Sequence, residues 1–200
     1  MQTFRTFVAV PLPPKLQKDL GRLIQHHACD GDGVKWVPPE ICQMTLKFLG
    51  EVDNVDSAAV CDVAAEAVAD VDSFDVTLTT TGALPSADRP RSLVVMVDDP
   101  SGRLQQIVAA MEDGYAAMGF RREPRDYVPH IALGRTRGGS RRISGEVTGR
   151  WLEDAPEVAI GEMRIDRVEV VASFLEKAGP SYQRLEVIGL GQEGGNYDYD

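Results

Sequence analysis

Hydrophobic and polar residues alternate with a period of two through ICQMTLKFLG (41–50) and through YVPHIALGR (127–135), which predicts two strands of the same build. Apolar residues recur every three to four positions through 15–27, where Leu16, Leu20, Leu23 and Ile24 share one face, so that stretch and the Ala-rich 56–71 read as helices. A third helix is expected after Asp98-Asp99-Pro100-Ser101, whose short polar side chains suit a helix N-terminus, and it should stop at Gly119. Runs at 7–12, 74–81, 92–97 and 182–190 supply further strands, and 159–172 holds one or two more. Residues 30–33 and 82–90 read as turn and loop, and 146–151 as a short helix or turn. The polar, acidic stretch 191–200 is expected to be a disordered tail.

Strand, helix and strand occur twice in that order. Val8 and Gln43 are as far apart along the chain as Val95 and His130, which points to an internal duplication. Two such units side by side would turn their equivalent strands toward a shared groove, the default place for a ligand. Alternation then sends Met44, Leu46 and Phe48 to the core and Gln43, Thr45 and Lys47 to the groove. In the second strand Ile131 and Leu133 go inward, His130 and Ala132 face the groove, and Gly134 leaves room for backbone or ligand.

Composition narrows the class. With 43% hydrophobic residues in 200, the chain can bury a sizeable core, read here as a single two-lobed domain over 1–190 and as a monomer. Prolines interrupt the N-terminal apolar run and no later run is long enough to span a bilayer, so neither signal peptide nor membrane partner is expected. Cys29, Cys42 and Cys61 form no CxxC pair and read as free thiols in a reducing compartment, the cytoplasm. No His/Cys/Asp/Glu cluster has ligand spacing, so neither a metal nor another cofactor is expected.

The net charge of −10 speaks against a protein that grips nucleic acid through a basic surface alone. The charge is uneven, however. The acids of 51–75 have no Lys or Arg among them, whereas Arg121, Arg122, Arg125, Arg135, Arg137, Arg141 and Arg142 gather around the second motif against Glu123 and Asp126. An anionic ligand would be drawn there; the competing reading is a solubilising surface. His26 and His27 end the first helix, where the helix dipole alone favours them.

The order VAVPLPP, VKWVPPE, ICQMTLKFLGEVD, FDVTLTTTGALPSADRPRSLVV, GFRREPRDYVPHIALGRTR and VEVVASFLEKAGPSYQRLEV, over about 4–190, resembles the bacterial and archaeal RNA 2′,3′-cyclic phosphodiesterases. This family, also called 2′-5′ RNA ligases, belongs to the two-histidine phosphoesterases. The resemblance implies a bilobal α+β fold, with two antiparallel sheets around a central cleft and helices outside. It also implies a His-x-Thr-x motif on each central strand and a metal-free reaction. The first motif falls on Gln43, Met44, Thr45 and Leu46, the second on His130, Ile131, Ala132 and Leu133. The first keeps its threonine without its histidine; the second keeps its histidine without its threonine.

Opening a cyclic phosphate requires a base for the attacking water and an acid for the departing ribose oxygen. By the resemblance, the first-motif position is the acid and the second the base, and the O3′ leaves, so that the phosphate stays on O2′. His130 is then the base and Gln43 stands where the proton donor is expected. Thr45 and the position of Ala132 would meet the phosphoryl oxygens, and Lys47 and Arg135 would add positive charge. Two functional readings are open. The chain is either a slowed hydrolase of RNA 2′,3′-cyclic phosphate ends, or a non-catalytic binder of RNA ends or of small cyclic or 2′-phosphorylated nucleotides. A bare scaffold that keeps only the fold is the third.

Overall fold

A computed structural model describes residues 2–136, 141–153, 160–176 and 179–191, with the side chains of 141–144, 175–176 and 179–180 left out. The 192–200 part of the expected tail lies outside the described residues, as does Arg137, and the side chains of Arg141 and Arg142 are not described.

Strand β1 (Thr3–Pro11) leads into helix α1 (Pro14–His27), which starts with proline at its first turn, where the missing N–H costs nothing. A short strand β2 (Val34–Trp36) and a 3₁₀ turn over Pro39–Ile41 precede β3 (Gln43–Asp53). Helix α2 (Ser57–Val68) closes the first unit. The second unit is β4 (Phe74–Leu84), β5 (Ser92–Asp98), α3 (Arg103–Ala117), β6 (His130–Thr136), α4 (Arg141–Glu153) and β7 (Gly161–Ile165). A hairpin of β8 (Arg167–Glu176) and β9 (Gly179–Gly189) ends the fold. Before α3, Asp99 takes the backbone N–H groups of Ser101 (3.1 Å) and Leu104 (2.8 Å), the capping role its position predicted.

The strands form two antiparallel sheets. Sheet A has the order β3-β1-β8-β9 and sheet B the order β2-β6-β5-β4-β7. In each, the motif strand pairs with the strand that precedes it across a helix, β3 with β1 and β6 with β5. The helices cross over. Helices α2 and α3 lie against strands of sheet A, although α3 joins two strands of sheet B. Helix α4 lies on β4 and touches α1, whose Leu16 sits over Gly161 of β7. One core, from Val8 through Trp151 to Leu190, runs through both sheets.

Register corrects two expectations. Val8 pairs with Lys47 and Leu93 pairs with Gly134, so the residue equivalent to Val8 is Leu93 and not Val95; the second unit carries two more residues between its paired strands. More consequential are the bulges. Ala9 faces Thr45 while Val8 faces Lys47, leaving Leu46 as an extra residue, and Val94 faces Ala132 while Leu93 faces Gly134, leaving Leu133 extra. The two bulges occupy the same place in the two motifs. The duplication is thus present in backbone irregularities that alternation alone does not show. Strand β3 also continues past Gly50, where termination was expected; the glycine holds φ 78° inside the strand. Strand β4 likewise runs into the expected 82–90 loop as far as Leu84.

Candidate active site

A bulge inserts one residue and so reverses which face the later side chains take. Beyond Leu46, Lys47 stands beside its partner Val8 on the helix-covered face of sheet A. Phe48, expected in the core, stands beside Phe7 on the other face, 60% exposed, with ring centroids 5.6 Å apart. Beyond Leu133 the same reversal brings Arg135 round to the side of His130 and Ala132. Strict alternation would have put Arg135 with Ile131 and Leu133 in the core.

Between the sheets lies a cavity of about 590 Å³, which suits a nucleotide-sized ligand. Thr45, Lys47, His130, Ala132 and Arg135 line it, so five of the six site residues expected from sequence share one space. Gln43 does not line it. It sits half-buried at the head of β3, opposite Pro11, on the face it shares with Thr45 two residues along. His26 and His27 lie elsewhere: the His27 ring packs on Trp151 at 4.9 Å.

His130 is held in a defined state. Its Nδ1 lies 2.6 Å from the carbonyl oxygen of Val128, and since a carbonyl only accepts, Nδ1 carries the proton. In the neutral ring Nε2 then keeps its lone pair, the arrangement a general base needs.

Lys47 differs from the expected free cation. Its side chain is 4% exposed, and Nζ donates to Glu112 Oε1 at 2.7 Å and to the carbonyl of Arg121 at 2.9 Å. With that charge matched, Arg125 and Arg135 are the remaining cations on the described cavity wall, which also carries Glu123 and Asp126. Gly134 was expected to make room for backbone or ligand; a Cβ there would meet Val34 at 2.7 Å and Trp36 at 3.0 Å, so the neighbouring strand β2 takes the space.

Tyr127, Gln105 and Arg125 are polar wall residues that sequence did not single out as site residues. Tyr127 donates to the carbonyl of Thr45 (3.4 Å), and burial, helped by the charge of Asp99, pushes its phenol well above the usual range. Gln105 holds the carbonyl of Tyr127 at 2.8 Å. Arg125 belonged to the arginine cluster but had no signal setting it apart. Tyr182, from the GPSY stretch, packs edge-on against Phe7 at 5.3 Å; burial raises its phenol and the Arg135 guanidinium opposes that rise. Among the described residues no group of three or more His, Cys, Asp or Glu is placed to hold a metal ion, and no helix is long and apolar enough to cross a membrane.

Comparison with known proteins matches this geometry. The model of the LigT like Phosphoesterase family matches the chain twice in succession, over residues 10–94 and 95–182, as a duplicated fold requires. An RNA 2′,3′-cyclic phosphodiesterase of Methanothermobacter thermautotrophicus is 29% identical over 93% of this chain and 98% of its own length. Another from Aeropyrum pernix is 30% identical over 88% and 97%. The crystal structure of E. coli LigT complexed with 3′-AMP superimposes with a TM-score of 0.75 at 22% identity, covering 96% of this chain and all of that one. A phosphoesterase crystal structure reaches 0.79 at 21% identity and the same coverage. At such identities the two structures speak for the fold. The two bulged motif strands around one nucleotide-sized cavity, the twofold family match and the near-full-length relatives together make this chain a phosphoesterase of the LigT-like family.

Proposed function

We propose that the chain opens 2′,3′-cyclic phosphate ends of RNA, leaving a 2′-phosphomonoester and a free 3′-hydroxyl, at a rate reduced by the residue at position 43. The observation that carries this reading is the fixed tautomer of His130 in a cavity it shares with Thr45 and Arg135. The relatives' activity supports the substrate class.

In this reaction His130 Nε2 takes a proton from water as the water oxygen forms a bond to phosphorus. The P–O3′ bond breaks, and O3′ gains a proton. Thr45 donates its hydroxyl to a phosphoryl oxygen, and Arg135 offsets the charge that builds there. Gln43 has two N–H donors that can orient an oxygen, yet none that it can give up as a proton. Solvent therefore protonates O3′, which is slower than transfer from a placed acid. Ala132 leaves the second side of the phosphate without the hydroxyl that Thr45 supplies on the first.

The pair Gln43 and Ala132 is also what favours the second reading, a binder of cyclic or 2′-phosphorylated nucleotide ends that does not turn them over. Purified protein incubated with 2′,3′-cyclic AMP, with products resolved as 2′-AMP and 3′-AMP, separates the two. Slow accumulation of 2′-AMP that vanishes in His130→Ala supports the hydrolase. Saturable binding without product supports the binder.

A further inference from the structure

We propose that Lys47 and Glu112 are positioning residues: they make the segment 121–129 a strut that sets where His130 stands relative to Thr45. The proposal rests on the reading of the cavity as an acid–base site. Lys47 does not meet the phosphate; its position in the wall serves the geometry of the two strands.

Segment 121–129 has no regular secondary structure, and its side chains from 121 to 126 are exposed. Left to itself, such a segment belongs to the least stable part of a fold. Here it is tied at both ends. Lys47 Nζ holds the carbonyl of Arg121 at 2.9 Å while its partner Glu112 uses Oε1 for the ammonium (2.7 Å) and Oε2 for the backbone N–H of Glu123 (3.2 Å). Further along, Gln105 holds the carbonyl of Tyr127, and Tyr127 Oη reaches back to the carbonyl of Thr45 itself. Val97 N–H holds the carbonyl of Pro129 at 3.0 Å, and the next carbonyl upstream, that of Val128, fixes the His130 ring.

These ties form a closed circuit. It runs from β3 through Lys47 to the segment, along the segment to Val128 and His130, and back through Tyr127 to the backbone of Thr45. The base on sheet B is therefore registered against the phosphate-gripping strand of sheet A as well as by its own strand. The same segment carries Arg125 onto the cavity wall. Stability does not require the ion pair, because burying two charges is costly and well-packed apolar side chains in their place commonly do as well or better. What apolar side chains cannot do is hold the Arg121 carbonyl and the Glu123 N–H.

The double substitution Lys47→Met with Glu112→Leu tests this, read by thermal melting, by trypsin cleavage after Arg121, Arg122 and Arg125, and by turnover of 2′,3′-cyclic AMP. Wild type should resist cleavage in the segment. The double variant should melt within a few degrees of wild type, yet release fragments beginning at Arg122, Glu123 or Asp126 at least tenfold faster, with kcat at least tenfold lower and KM changed less. Tyr127→Phe removes only the tie to Thr45 and keeps the ring in place, so it answers even where the double variant folds poorly. It should raise cleavage several-fold and lower kcat. Wild-type cleavage and wild-type kcat in either folded variant would overturn the strut. Absence of turnover in wild type would defeat the proposed function alone, since cleavage reports on the strut without catalysis.

Discussion

On the proposed mechanism, replacing Gln43 by histidine should supply a proton donor opposite the base His130. Gln43 and Thr45 lie on one face of β3, two residues and so about 7 Å apart along the strand, which lets a ring at 43 reach an oxygen of a phosphate held by Thr45. A placed general acid is worth about 10²–10⁴ in rate. The lower end applies here, because Gln43 is set back from the cavity wall and Ala132 offers no second hydroxyl to fix the phosphate. The expected gain in kcat for 2′,3′-cyclic AMP is about 10², equivalent to about 2.7 kcal/mol of transition-state stabilisation. Adding Ala132→Thr supplies a hydrogen bond to a charged oxygen, worth about 1.5–3 kcal/mol, and so at least about another tenfold. Initial rates over a pH series give the second readout: one limb from His130 in wild type, a bell in Gln43→His. A folded Gln43→His variant with the wild-type rate and the wild-type single limb would refute the placement of position 43 as the acid side.

The geometry implies three further outcomes. Turnover should survive EDTA, since in the proposed reaction the water gives its proton to His130 without a metal; loss on chelation with recovery on adding a divalent ion would relocate the chemistry. Removing both Arg125 and Arg135 should weaken RNA binding and lower the steepness of its salt dependence by about two counterions' worth, and an unchanged slope in a salt titration would exclude them as phosphate contacts. Burial, with a smaller push from Glu40, raises the Cys42 thiol from 9.0 to about 12. The folded chain thus keeps a proton that the unfolded chain loses above pH 9, so this contribution to stability is whole below that pH and declines as pH rises toward 12, by about 1.4 kcal/mol per unit. Urea midpoints between pH 8 and 11 should fall less steeply in Cys42→Ala, and equal slopes would count against it.

The strands, the helices and the pairing of two equivalent units were legible because period and turn chemistry report burial directly, and Thr45 and His130 were legible because each lies before its bulge. Residues beyond a bulge were not legible in this way. Lys47 read as a free groove cation and Phe48 as core; once Leu46 was extruded, Phe48 became exposed and Lys47 reached the cavity wall only as a buried side chain paired with Glu112. Arg135 reached the cavity wall by the same mechanism, although alternation pointed the other way. A bulge is decided by pairing with a strand distant in sequence, and no local pattern carries it. Tyr127 and Gln105 escaped for a related reason: their partners are backbone carbonyls, which any residue offers.

The order of strands in the two sheets bears on how the chain is made. Sheet B takes β4 through β7 from one uninterrupted stretch, together with β2, whereas sheet A joins β1 and β3 from the beginning to β8 and β9 from the very end. During synthesis sheet B and its helices can close while the β8 edge of β1, with the apolar run Phe7, Val8, Ala9 and Val10, still waits for strands not yet translated. Every nascent chain thus passes through a stage with a long apolar strand edge open to other chains, and its yield in the cell depends on how briefly that edge stays bare.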